Sequence, residues 1–256
     1  MEKKIVKIRD TEIGSGLPKI CIPLVAANKE ELQKALEELA KSPCDLAEWR
    51  VDFYENIEQE EVRQEALRLI RRYLGYRPLL FTFRTAAEGG NRSITNEEYF
   101  KLNLAAAKSG LVDIVDVEIY RDEEMAEVLV KALHKQGVSA LGSNHDFDRT
   151  PDKEEIIRRL CRMQELGLDI TEIAVMPRSR QDVLELLSAA VAMEETYGDR
   201  PCVTMSMGKD GVISRVTGGF SGSAITFGTA GKASAPGQIP AAGLSEILRI
   251  LSESIE

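Results

Sequence analysis

Cysteine, histidine and aromatic side chains are all scarce in this sequence, with 4 Cys, 2 His and 5% aromatics among 256 residues. The cysteines, Cys21, Cys44, Cys161 and Cys202, lie far apart without a C-x-x-C spacing, most of them within or beside apolar strand-like runs. They read as reduced thiols, which argues against a disulfide framework and against a zinc site. The presence of only His134 and His145 argues in the same way against a histidine-based metal site. Apolar runs long enough for a signal peptide or a membrane span are missing too, and the opening MEKKIVKIRD is charged every few residues. The expectation is a cytoplasmic protein without a membrane partner. Positive charge is in deficit, 33 Lys and Arg against 42 Asp and Glu for a net charge of -9, so nothing offsets repulsion from nucleic-acid phosphates.

What the sequence does have is 43% apolar residues in a regular order. Short apolar runs precede amphipathic ones: Lys19 to Val25, Cys44 to Val51, Pro78 to Thr85, Asp113 to Tyr120, Val138 to Phe147, Leu168 to Met176, Pro201 to Met207 and Ser223 to Thr229. Helix starts carry stop-and-start chemistry, such as Thr150-Pro151 before an acidic turn. About eight strand-helix units in roughly 250 residues is the size of a (β/α)8 barrel. No linker divides the chain, so residues 1–256 read as one α/β domain, with KIVKIRDTEIGSG as a short N-terminal hairpin capping one barrel end. An open doubly wound sheet is the alternative, but no G-x-G-x-x-G opens the first helix.

Strand alternation sorts the side chains. One face carries Leu46, Glu48 and Arg50, then Leu80, Thr82 and Arg84, then Asp116 and Glu118, Ser143 and His145, Ile170 and Glu172, Met205 and Met207, and Phe227. The opposite face, with Trp49, Phe81 and Phe83, must meet the helices, so the charged set points into the barrel near the carboxyl ends of the strands. A pair such as Glu48 with Arg50 could be a structural ion pair. Four adjacent strands that all end in inward ionisable groups favour a site. Gly-, Ser- and Pro-rich stretches after the third, seventh and eighth strands (residues 88–93, 211–219 and 231–240) suit a mobile cover or plain solvent loops. Arg215 is a candidate anion anchor, and His145 a candidate general acid or base by its near-neutral pKa.

The motifs EWRVD, FTFRT-x-x-EGG, HDF-x-x-TP, IAVMP, TMSMG, ISR and GKASAPGQIP, in this order, closely resemble the type I 3-dehydroquinate dehydratases of the shikimate pathway. The resemblance implies a (β/α)8 barrel, usually a homodimer, that converts 3-dehydroquinate to 3-dehydroshikimate and water without a cofactor or metal. It also implies an imine between a lysine of the sixth strand and the substrate ketone. By motif, His145 is the acid/base and Glu88 its orienting carboxylate. Glu48, Arg50 and Arg84 surround the substrate hydroxyls and ketone, Met205 and Phe227 form an apolar wall, Arg215 clamps the substrate carboxylate, and Ser234 and Gln238 belong to the closing loop. One position departs from the family. Where the lysine stands, two residues before the Ala of IAVMP, this chain has Glu172. Lys209 and Lys232 are on loops and match no nucleophile position. Three readings stay open: a dehydratase disabled by this replacement, a binding protein that retains the pocket, or an enzyme in which Glu172 does non-covalent acid/base work. Glu48, Glu88 and Glu172 all face the same mouth, so at least one of the three is expected to pair with Arg50 or Arg84 or else to hold a raised pKa.

Overall fold

The computed structural model describes residues 4–231 and 237–254. Eight parallel strands form the barrel wall: β3 (Lys19–Leu24), β4 (Leu46–Arg50), β5 (Leu79–Thr82), β6 (Ile114–Glu118), β7 (Ser139–Asp146), β8 (Ile170–Val175), β9 (Cys202–Ser206) and β10 (Ile225–Thr229). Each pairs with its sequence neighbour from β3 to β9, and β10 pairs back onto β3. The seam between β9 and β10 is closed at its lower end, where Ala224 N donates to Cys202 O at 2.8 Å. The expected (β/α)8 barrel is therefore the observed fold. A two-residue strand, β11 (Ile239–Pro240), continues the sheet beside β10.

Helices α1 (Lys29–Leu39), α2 (Glu60–Leu74), α3 (Asn96–Lys108), α4 (Glu123–His134), α5 (Lys153–Glu165), α6 (Arg180–Ala192), α7 (Gly218–Ser221) and α8 (Ala241–Glu253) cover the wall. Side chains of Asn28, Thr95, Asp122, Asp152 and Ser179 each accept an orphan amide of the first turn of α1, α3, α4, α5 and α6. For α5 the cap is Asp152 and not the Thr150-Pro151 pair, because the Thr150 hydroxyl donates to Met176 O instead. After β9 the chain makes only a 3-10 turn (Val212–Arg215) and the single-turn α7 in place of a full helix.

Two apolar clusters follow from strand alternation. Trp49, Phe81, Phe83, Val117 and Ile173 pack outward against the helices, whereas Leu46, Leu80, Ile114, Leu141, Ile170, Val203 and Ile225 fill the lower barrel. That interior would be open at its amino-terminal end but for the hairpin β1 (Val6–Ile8) and β2 (Thr11–Ile13), whose Val6, Ile8 and Ile13 join the inner cluster. The bottom also carries a repeated clasp. Asp45, Asp113 and Asp169, each just before β4, β6 or β8, accept the amides of Ile20, Leu79 and Ala140 at the start of the preceding strand, at 2.7, 2.8 and 2.9 Å. At β10 the Ser223 hydroxyl accepts Thr204 N at 3.0 Å in the same sense. With that end plugged, polar groups at the carboxyl ends of the strands border the opposite mouth of the barrel.

Candidate active site

At that mouth, Glu48, Arg50, Arg84, Glu88, His145, Glu172, Met205, Arg215, Phe227 and Gln238 line a single cavity with about 60 Å³ of free space. The structure thus brings together every expected site residue except Ser234, which lies outside the described residues together with Lys232. Larger hollows of about 380 and 950 Å³ lie outside the barrel, one beside α2 and α3 and the other between α5 and α6, and contain none of these residues.

Arg84 is the hub. Its Nη1 donates to Glu118 Oε1 and Ser143 Oγ, both at 2.9 Å, and its Nη2 to Asp116 Oδ2 at 2.6 Å. Glu118 also accepts Thr85 N and the Thr85 hydroxyl at 2.8 and 2.7 Å, so the end of β6 fixes the chain leaving β5. Burial opposes the Arg84 charge, yet Asp116, Glu118, Glu88 and Glu172 outweigh it and hold the guanidinium firmly ionised. Arg50 is held separately: its Nε and Nη2 meet the two oxygens of Asp52 at 2.9 Å each. This fork-to-fork geometry fixes a plane as well as a distance.

The loop after β5 delivers Glu88. It closes tightly, with Gly89 at φ +80° and Gly90 N donating to Thr85 O at 2.8 Å; a Cβ on Gly90 would stand 1.9 Å from Arg84 O. Asn91 N binds Asp52 at 2.9 Å, which ties this loop to Arg50. Two of the three glycine-rich stretches are accordingly not plain solvent loops. Residues 88–93 are pinned in this way, and 211–219 hold Ser214 and Arg215 buried; part of the third lies outside the described residues.

Glu88 Oε2 accepts His145 N at 2.9 Å and faces His145 Nδ1 at 3.1 Å, while Oε1 receives Asn144 Nδ2 at 3.3 Å. Arg159 of α5 holds the other end of that amide, Nη1 to Asn144 Oδ1, at 2.9 Å. Burial raises the Glu88 pKa, partly opposed by Arg84. Burial and the Arg84 charge push His145 well below its ordinary value, so the ring is neutral near pH 7. With Nδ1 engaged by Glu88, Nε2 turns toward the cavity.

Opposite Nε2 stands Glu172, 3% exposed and paired in register with Ser143 and Val203. Its one ion-pair contact among the described residues is His145 Nε2, at 4.0 Å. Of the three mouth carboxylates, Glu88 makes the expected pairing, 3.6 Å from Arg84 Nη1, whereas Glu172 pairs with neither Arg50 nor Arg84 among the described residues, because Asp52 occupies the first arginine and Asp116 and Glu118 the second. The alternative consequence holds instead: burial, reinforced by the charge of Asp116, raises the Glu172 pKa to about 8. Arg215, almost fully buried, is lowered by burial to about 10, with Glu172 opposing the shift. Burial likewise raises Glu48 against the pull of Arg50 and Arg84.

A neutral, carboxylate-oriented imidazole facing a cavity lined with guanidinium groups suits proton transfer on a bound anion. Among the described residues no cluster of His, Cys, Asp and Glu is arranged to hold a metal ion, and no helix is long and apolar enough to cross a membrane. Sequence reasoning passed over Asp52, Asn144 and Phe147. Asp52 lies in EWRVD two residues after Arg50, a spacing that could have suggested the pair; Asn144 points away from the barrel by alternation, and nothing in the sequence marks it.

Known proteins resemble this chain in both sequence and fold. A family model described as Type I 3-dehydroquinase matches residues 20–255. The chain is 50% identical over 253 residues to a 3-dehydroquinate dehydratase of Bacillus licheniformis, covering 99% of this chain and 100% of that one. Among solved structures, a type I 3-dehydroquinate dehydratase of Clostridium difficile with covalently modified comenic acid superposes with a TM-score of 0.95 at 47% identity, covering 98% and 99% of the two chains. The 3-dehydroquinate dehydratase of Geobacillus kaustophilus also gives 0.95, at 35% identity, with 100% and 99% covered. Matches of such length and identity, on a barrel whose mouth carries these side chains, make the chain a member of the type I 3-dehydroquinase family, which is a family of lyases.

Proposed function

We propose that the pocket is that of a 3-dehydroquinate dehydratase, which binds 3-dehydroquinate and is disabled for turnover because Glu172 occupies the position of the imine-forming lysine. The observation that carries this reading is the oriented His145–Glu88 pair, with Nε2 directed at the head group of residue 172 across 4.0 Å. An amine at that position would condense with the substrate ketone and lose water; the resulting iminium would acidify the neighbouring C–H. His145 Nε2 would take that proton, while Glu88 stabilises the imidazolium, and would return it to the departing hydroxyl. Arg215 would hold the substrate carboxylate, with Gln238 and Ser234 at the cover, Arg50, Arg84 and Glu48 at the hydroxyls and ketone, and Met205 and Phe227 against the ring. A carboxylate cannot condense with a ketone. Its substitution for the nucleophile costs about 10⁴-fold or more in turnover, roughly 5 kcal/mol and upward.

Glu172→Lys is therefore expected to restore dehydration, and borohydride in the presence of substrate to leave a mass adduct on that variant alone. Rapid turnover by the unsubstituted chain, purified free of host enzyme, would refute the reading. One observation favours a second possibility. At a pKa of about 8 Glu172 is mostly protonated at neutral pH, and so could supply a proton to a leaving hydroxyl without covalent chemistry. Slow turnover lost in Glu172→Gln would identify that route. The reading includes a cytoplasmic location and a homodimer, the latter supported by exposed apolar Leu184, Tyr197 and Phe220 around one outer hollow.

A further inference from the structure

The donors around the mouth are unevenly distributed. Six carboxylates, Glu48, Asp52, Glu88, Asp116, Glu118 and Glu172, meet three guanidinium groups, Arg50, Arg84 and Arg215, and a neutral imidazole. Asp52 takes Arg50 in a bidentate pair; Asp116 and Glu118 take Arg84; Glu88 takes His145 through both its backbone and ring nitrogens. Glu172 accepts no hydrogen bond among the described residues, although it is 97% buried (3% exposed) and lines the cavity. A carboxylate in that position lacks a donor, and the field of Asp116, Glu48 and Glu88 around it, partly offset by Arg84, favours a cation in front of it.

We propose that this pocket, as the chain stands, prefers a small cyclic zwitterion, its ammonium on Glu172 and its carboxylate at Arg215, over the acid that carries a ketone or hydroxyl in place of the ammonium. The proposal rests on the reading of Arg215 as the carboxylate anchor. An ammonium supplies three N–H donors to a site that has acceptors in excess, and it reverses the polarity that a lysine at position 172 would require of its ligand. The free space of about 60 Å³ admits the head group but not a whole ring, so binding displaces side chains at the rim, where Phe147 and Gln238 stand. A hydrogen-bonded ion pair in a buried site discriminates by about ten- to a hundredfold against a ligand without the charge.

The test is calorimetric titration near pH 9, where Glu172 is mostly ionised and the ligand amine still charged, of the unsubstituted chain with cis-3-aminocyclohexanecarboxylate, cis-3-hydroxycyclohexanecarboxylate and cyclohexylamine, repeated on Glu172→Gln and Arg215→Gln. Expected is a preference of tenfold or more for the amino acid over the hydroxy acid, lost in Glu172→Gln, with cyclohexylamine weaker than the amino acid. Absence of that preference, its persistence in Glu172→Gln, or failure of the amino acid to bind would overturn the proposal. A hydroxy acid whose affinity is indifferent to Arg215→Gln would instead count against the anchor, and hence against the proposed function. The two failures are distinct.

Discussion

Glu172 couples folding to pH in a direction opposite to most carboxylates. In the unfolded chain it ionises near its ordinary value; in the barrel, buried beside Asp116, it holds its proton up to about 8. The folded state therefore binds the extra proton between those limits, and stability contributed below the ordinary value is lost as pH rises through 8. The full span corresponds to about 5 kcal/mol. Denaturant melts at pH 5, 6.5 and 8 should show the unsubstituted chain losing stability relative to Glu172→Gln as pH rises; parallel curves for the two proteins would contradict the assignment. His145, depressed by burial and Arg84, acts in the other direction, its contribution falling as pH drops, but it is common to both proteins and leaves the difference intact. The inward direction of Glu172 was legible from period-two alternation. Its lack of a donor was not, because alternation assigns a face and says nothing of which guanidinium a nearer carboxylate already holds; Asp52 settles that for Arg50 from a 3-10 turn beyond the strand.

Between strands, the turn that follows β5 is the element on which the site depends. Arg84 enters it, Glu88 leaves it, and Gly90 passes so close to Arg84 O that no side chain fits. Gly90→Ala is expected to destabilise the protein by about 1–3 kcal/mol and to loosen Glu88 from His145. Urea melts would report the first effect and the histidine ring resonances the second. Gly219→Ala, where nothing lies within 4 Å of the added carbon, is the contrasting control and should leave both unchanged. Element positions were largely readable, since all eight barrel strands fall within the apolar runs. Details of their ends were not: Asp152 rather than Thr150 caps α5 because tertiary contact with Met176 diverts the threonine. The Gly-rich stretch at 211–219 likewise looked like cover from composition alone, yet Thr226 bonds Arg215 O at 2.8 Å and Ser214 bonds Ser206 N at 2.9 Å, packing it into the barrel rim.

Across the whole molecule, closure at the bottom is not uniform. The clasps made by Asp45, Asp113, Asp169 and Ser223 join β3 to β4, β5 to β6, β7 to β8 and β9 to β10, and leave the junctions β4–β5, β6–β7, β8–β9 and β10–β3 without an equivalent. The ring is thus fastened as four two-strand leaves, and each fastening spans only 19 to 34 residues of chain. Short closures form before long ones because less loop entropy is lost. Where the chain is cut then matters for the route by which it folds. A circular permutant reopened at exposed Tyr76, between two leaves, keeps every clasp local; one reopened at Ser42 turns the Asp45 clasp into the last and longest contact to form. Stopped-flow refolding should find the second permutant several-fold slower at similar equilibrium stability, and equal rates would mean that the leaves have no separate kinetic existence.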